Sequence, residues 1–249
     1  KKIQIVCLLI MSILLASCAE ERFSAIDSEQ SFIATMNILE PSLQFFNEDG
    51  HLLTQWQFDK AYTGAALVGD DKVVVYGHQL EKARLYELSS GAMLKEIQVG
   101  IGTTNAYFDE VSGKLFLTNS KKNELYRFST DGTFEQSVKL RNYPMAMTTV
   151  NDELYVINYK DTVLSVVDIE SLQVTKEWTI AKSSNGIVYI PEKDRLWLGG
   201  HGEGQASNRN VITYTMDGQQ EQNIYAPLMP IAFSKQGEEV AIISHGTNM

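Results

Sequence analysis

YPMAMTTVNDELYVINYKDTVLSVVDIESLQVTKEWTI, residues 143–180, breaks into four short runs: Met145–Val150, Leu154–Asn158, Val163–Ile169 and Gln173–Ile180. Asn151-Asp152, Lys160-Asp161 and Glu170-Ser171 separate them, all turn-prone pairs. Each run is rich in β-branched or aromatic residues, and each gap is too short for a helix. Four strands joined by short turns make an antiparallel meander. A lone meander cannot bury both of its faces, so it needs neighbours of the same kind.

The chain supplies them. The two-strand unit that opens the stretch recurs at Gly64–His78, Asn105–Asn119, Gly186–His201 and Pro230–His245. A tight turn recurs too, at Asp49-Gly50, Ser90-Gly91, Asp131-Gly132, Glu170-Ser171 and Asp217-Gly218; Gly50 to Gly91 and Gly91 to Gly132 are each 41 residues. Four strands per period of roughly 40–45 residues is the signature of a β-propeller blade. Glycine closes such hairpins because it accepts positive φ without steric cost. The expected fold is therefore all-β, a β-propeller of four-stranded antiparallel blades.

Leu154-Tyr155-Val156-Ile157-Asn158, followed by Val163-Leu164-Ser165-Val166-Val167-Asp168, resembles the YVTN-type (WD40-like) β-propeller repeat. Leu115-Phe116-Leu117-Thr118-Asn119 is a looser match, and Pro144 and Pro230 stand where that family often has a proline entering the innermost strand. Other units depart from the pattern, ending in Gly77-His78, Gly200-His201 and Ser244-His245. The resemblance implies a propeller from about Phe32 onward. It leaves function open, because propellers host many unrelated activities.

Residues 1–17 read as a lipoprotein signal peptide: Lys1-Lys2, an apolar Ile3–Leu14, then Leu15-Ala16-Ser17-Cys18, which resembles a bacterial lipobox. Cys18 is the expected lipidation site, with two or three acyl chains holding it to a membrane. The apolar run falls short of the ~20 residues of a membrane span. Cys7 leaves with the signal, so no intramolecular disulfide is expected. Residues 18–31 read as a polar tether and 32–249 as the propeller. About five blades are expected. Because Phe32–Thr35 and Val240–Ile243 both look like second strands, the expectation is a fragment of a seven-bladed ring, with a complete five-bladed ring as the alternative.

Meander geometry sorts the loops onto two faces. The face of first-to-second and third-to-fourth turns carries fifteen acidic side chains against five basic; the other, the loop face, carries eight basic against four acidic. With a net charge of −10, the chain concentrates its acidity on one side. That suits an extracytoplasmic binding surface on the opposite face. An acidic chain without a basic stripe among aromatics is not expected to bind nucleic acid.

Candidate ligand- or partner-binding residues lie on the loop face. His78, His201 and His245 close second strands, and Asn119 and Asn158 are read as occupying the same position in other repeats. Arg141, Lys160 and Lys182 supply charge, and Glu203 is the acid nearest His201 in sequence. The plainer reading of the His/Asn ring is that it hydrogen-bonds loop backbone. No metal site is expected, since equivalent positions in different blades are too far apart for ~2.0–2.1 Å metal–nitrogen bonds. Gly199–Gly204 opens the longest loop but lacks the Lys-Ser/Thr of a phosphate loop. No nucleophile elbow or cofactor fingerprint occurs, so no catalytic residue or cofactor is assigned. The expected role is a membrane-anchored module binding an envelope protein or small ligand. The alternatives are a propeller enzyme (a quinoprotein-like dehydrogenase or a lyase) with its site at the channel mouth, or a purely structural spacer.

Overall fold

The computed structural model describes residues 23–203, 206–236 and 239–244. The first sheet has three strands, β1 (Ile33–Asn37), β2 (Ser42–Phe46) and β3 (Leu52–Gln57). The second is β4 (Gly64–Leu67), β5 (Lys72–Tyr76), β6 (Lys82–Glu87) and β7 (Met93–Gln98). The third is β8 (Thr103–Asp109), β9 (Lys114–Asn119), β10 (Glu124–Ser129) and β11 (Phe134–Lys139). The fourth is β12 (Pro144–Val150), β13 (Glu153–Asn158), β14 (Val163–Asp168) and β15 (Val174–Thr179). In the fifth, β16 (Ser184–Ile190) and β17 (Arg195–Gly200) precede a two-stranded hairpin, β18 (Gly202–Glu203) and β19 (Ala206–Ser207). The sheet resumes with β20 (Asn210–Tyr214) and β21 (Gln220–Tyr225). A separate pair follows, β22 (Pro230–Gln236) and β23 (Glu239–Ser244). Every pairing is antiparallel, and sequence-adjacent strands pair in each blade except at β17 and β20, which the β18–β19 hairpin separates. Among the described residues no helix is long and apolar enough to cross a membrane.

Five antiparallel blades thus form a propeller. The innermost strands neighbour one another: β4 lies beside β8, β8 beside β12, β12 beside β16, and β16 beside β22. β22 and β23 correspond to the first two strands of a blade and β1 to a second strand, so the duplication read from the sequence is present. Among the described strands, β23 pairs with β22 and β1 with β2.

The core explains why the middle strands read as continuous apolar runs rather than alternating ones. Val73 and Val75 of β5 pack toward the first sheet, while Val74 and Tyr76 pack toward the third. Leu154 and Val156 of β13 likewise face the third sheet, and Tyr155 and Ile157 the fifth. Both faces of an inner sheet are covered, so both parities must be apolar. The outermost strands β11, β15 and β21 have no covering layer and expose all but one residue each to substantial solvent.

Two irregularities recur with the repeat. A bulge interrupts the start of four inner strands, between Thr103 and Asn105, Pro144 and Met147, Ser184 and Gly186, and Pro230 and Ala232, whereas β4 pairs with β5 without one. The residue before the inner strand is left-handed: Gly102, Tyr143, Ser183 and Met229 have φ of 111°, 65°, 60° and 54°. This turns a carbonyl toward the second strand's end. Gly102, Tyr143 and Ser183 accept the N–H of Ser120, Tyr159 and His201 at 2.8, 2.9 and 3.2 Å. For Tyr143, Ser183 and Met229 the backbone strain costs on the order of 1–2 kcal/mol each.

Two sequence expectations need correction. The packed body begins inside the segment read as a tether. Phe23 stacks on Trp56 at 5.1 Å, its N–H donates to Gly91, and Ile26 is 4% exposed. Trp56 Nε1 also donates to the Ser24 carbonyl at 2.8 Å. The aromatic and aliphatic side chains at 23 and 26 carry this packing, which a polar average over the segment conceals. Secondly, Gly199 and Gly200 belong to β17 rather than to a flexible loop. A Cβ on Gly199 would stand 2.3 Å from the Pro230 carbonyl oxygen, and one on Gly200 would stand 1.9 Å from that of Ser183.

Candidate functional site

The inner strands β8, β12, β16 and β22 line a cavity of about 490 Å³ along the propeller axis. Each inner strand runs from the loop face to the turn face, so its first residues line the loop end of the channel. Asn105 and Asn185 stand there, while Tyr107, Thr149, Tyr189 and Lys235 lie toward the turn end. Ile187, Val188, Ile231 and Phe233 give the wall its apolar part.

The turn end is internally satisfied. Thr149 Oγ1 donates to Asp109 Oδ1 at 2.8 Å, and Asp109 Oδ2 accepts the Ser112 N–H at 2.8 Å. With its hydrogen so committed, Thr149 Oγ1 must accept from the Tyr107 hydroxyl, 2.8 Å away. This chain holds the 4%-exposed Asp109 by hydrogen bonds from two elements. Lys235 pairs with Glu192 at 2.9 Å, and the Tyr189 hydroxyl donates to Asp194 Oδ1 at 2.9 Å. Burial, then that bond to Asp194, pushes the Tyr189 phenol up.

The loop end is different. Asn185 Nδ2 stands 3.0 Å from His201 Nδ1. With the amide nitrogen as donor, the imidazole is neutral and carries its proton on Nε2. The other amide atom, Asn185 Oδ1, is buried without a hydrogen-bond partner. The Asn105 carboxamide has no hydrogen-bonding partner among the described residues. Among the described lining residues the uncommitted polar groups are therefore neutral: the Asn105 and Asn185 carboxamides at the loop end and the Thr148 hydroxyl further along β12.

The candidates read from the sequence distribute as follows. His201 reaches the channel mouth through Asn185. His78 lies at the loop end of the second sheet; its N–H donates to Thr63 Oγ1 at 3.1 Å and its carbonyl accepts from Gly102. Asn119 is fully buried and wholly engaged. Its Nδ2 lies 3.1–3.2 Å from the carbonyls of Val99, Gly100 and Ile101, and its Oδ1 accepts from the backbone of Lys121 and Lys122. Asn158 is also fully buried, donating to Val163 O and Ser165 Oγ. Arg141 forms a two-pronged pair with Glu177 of the outer strand, and this pairing holds the Glu177 carboxyl below its ordinary range. Lys160 lies 4.7 Å from the centroid of the Tyr143 ring. Lys182 is exposed in the connector before β16. The backbone of Glu203 lies in β18; Cys18 and His245 lie outside the described residues, as does the segment 1–17.

The strand register corrects the equivalence assumed for the ring. Asn119 pairs with Thr103, Asn158 with Pro144, Gly200 with Ser184 and Ser244 with Pro230. The histidines at 78 and 201 therefore correspond to Ser120 and Tyr159, one residue past the asparagines. One step along a strand reverses the side a residue faces. This is why the asparagines point into the blade and the histidines do not. Asn105, Asn185, Tyr107 and Thr149 were missed, because neutral polar residues in an inner strand look like any half-buried strand. The signal was faint even for Asn105, a polar side chain where other blades carry Gly186 and Ala232. Tyr107 and Thr149 stand where other blades carry residues as varied as Thr148, Val188, Phe108 and Tyr189.

On the turn face, partial desolvation and the carboxylates of Asp70 and Asp109 push the Glu110 carboxyl up. Acidic groups are thus close enough to oppose one another there, as the charge distribution of the sequence implies.

No protein-family profile and no curated protein matches the chain. Solved structures do match in shape. The WD40 β-propeller domain of Doa1 superposes with a TM-score of 0.69 at 11% identity, covering 88% of this chain and 73% of that one. A functionally unknown protein from Desulfotomaculum acetoxidans gives 0.70 at 14% identity, covering 88% and 74%. A catalytically inactive virginiamycin B lyase from Staphylococcus aureus with quinupristin gives 0.67 at 16%, covering 89% and 80%. At such identities the likeness establishes a WD40-like β-propeller fold.

Proposed function

With that fold as premise, we propose that the protein is a lipid-anchored, extracytoplasmic propeller that binds a partner protein or small ligand through its loop face. The observation that carries this reading is the axial cavity, with the uncommitted carboxamides of Asn105 and Asn185 at its loop end beside His201. Lys160 and Lys182 stand on the same face and supply positive charge around it, beside Arg141, whose guanidinium is paired with Glu177. The anchor fits this orientation. Phe23 is pinned to Gly91 in a turn-face hairpin. Five residues span from Cys18 to Phe23, a reach of at most about 18 Å. Lipidation at Cys18 therefore keeps the Gly91 hairpin within about 18 Å of the anchor point. Repulsion of the acidic turn face by an anionic bilayer opposes its lying flat and leaves the loop face accessible.

Two experiments test the reading. Cys18→Ser releases the protein from the membrane fraction. Charge reversal of Arg141, Lys160 and Lys182 together abolishes capture of partners from solubilised membranes, whereas retained capture contradicts the loop-face assignment.

A second reading, a lyase-type enzyme, draws on His201. Its imidazole is oriented by Asn185 at the channel mouth, and the Nε2–H this leaves is a hydrogen-bond donor of the kind that polarises a substrate oxygen. Turnover that disappears in His201→Ala while the fold is retained would favour it.

A further inference from the structure

We infer that the loop end of the channel binds an uncharged, polyhydroxylated ring, a neutral hexose unit free or in glycosidic linkage. This deepens the small-ligand side of the binding reading and rests on it. Asn185 Oδ1 is a buried acceptor with no donor. Leaving such an atom unpaired costs about 1–3 kcal/mol, and a ligand hydroxyl removes that cost once the Asn185 side chain, which lines the cavity, turns its oxygen toward the ligand. Asn105, lining the same cavity, offers both a donor and an acceptor. Carboxamides on two walls of one cavity match hydroxyl groups at different points of a ring, each of which donates one hydrogen and accepts others.

The rest of the cavity selects against charge. Lys235 is paired with Glu192, and Asp109 is enclosed by Thr149 and Ser112. A charged ligand entering here would lose its hydration without meeting an uncompensated partner of opposite sign. The buried Asp109 carboxylate disfavours an anion further. Apolar surface from Ile187, Ile231 and Phe233 suits the C–H faces of a sugar ring, with polar atoms at its edge. The volume of about 490 Å³ lies within the range of small-molecule sites and holds one or two such rings.

Saturation-transfer NMR on the detergent-solubilised full chain tests this. The probes are methyl glycosides of glucose, galactose, mannose and N-acetylglucosamine, with glucuronate and glucosamine as charged counterparts. At least one neutral glycoside should bind, with affinity reduced tenfold or more by Asn185→Leu and by Asn105→Leu. The second variant keeps the test decisive should the first fail to fold. Absence of binding by all four neutral glycosides, equal binding of the charged sugars, or indifference to the asparagine substitutions overturns the inference. Loss of glycoside binding alongside retained partner capture through Arg141, Lys160 and Lys182 overturns this inference alone. Failure of both removes the binding reading with it.

Discussion

Asn185 Nδ2 and His201 Nδ1, 3.0 Å apart, join an innermost strand to the residue just past its neighbouring strand at the loop end of the channel. The contact orients both side chains. It fixes the imidazole tautomer and turns Asn185 Oδ1 into an acceptor awaiting a donor. In Asn185→Ala, ¹⁵N NMR at alkaline pH should show His201 passing from a single Nε2-protonated tautomer to a mixture. An unchanged histidine spectrum would contradict the contact.

Asn119 carries a different burden. Its fully buried carboxamide binds three carbonyls and two N–H groups of the loops around it. Asn119→Leu strands several of these at once, each costing about 1–3 kcal/mol where water cannot reach. We expect a net loss on the order of 3 kcal/mol by urea denaturation. A loss below about 1 kcal/mol would mean that the loops rearrange to satisfy themselves.

Gly199 and Gly113 separate crowding from backbone conformation. Gly199→Ala drives a methyl group against the Pro230 carbonyl, so β22 and β23 must move off the fifth blade. Gly113 has open space around it and a φ of +64°, so Gly113→Ala costs only the left-handed strain, about 1–2 kcal/mol. Hydrogen exchange should accelerate in 230–244 for the first variant and remain local for the second. Equal, local effects would contradict the close approach of the two sheets.

Burial pushes the Tyr76 phenol from its ordinary 10.0 up to about 12, although a backbone N–H from Ala106 partly opposes this. Folding therefore favours the neutral phenol. The stability contributed is complete below pH 10 and is lost as pH rises from 10 toward 12, amounting to about 2–3 kcal/mol. Tyr76→Phe should flatten the fall in stability across that window, measured by denaturant titration at several pH values. A parallel curve would contradict the burial argument.

How far the sequence led can be judged from particular residues. Leu154–Asn158 and Val163–Asp168 announce strands because both of their faces are covered, and the turn glycines mark the period because their conformation demands them. Register was harder. Gly77-His78 and Thr118-Asn119 look interchangeable as strand endings at the 41-residue spacing of the turn glycines. The register instead places Lys72 with Lys114, and so Gly77 with Asn119, one residue further on. Close packing explains the other misreading: Gly199-Gly200 resembles a loop until the carbonyls of Pro230 and Ser183 are seen against it. The channel was the least legible feature. Asn105 and Asn185 become a pair only once strands 80 residues apart line the same space.

Everything said of the site depends on inner strands of successive blades being neighbours about one axis. The Tyr107 hydroxyl and Thr149 Oγ1, 2.8 Å apart across β8 and β12 and 42 residues apart in sequence, report on this directly. A double-mutant cycle with Tyr107→Phe and Thr149→Val should give a coupling of about 1 kcal/mol. Strictly additive effects would mean that these strands do not meet, and the channel would fall with them.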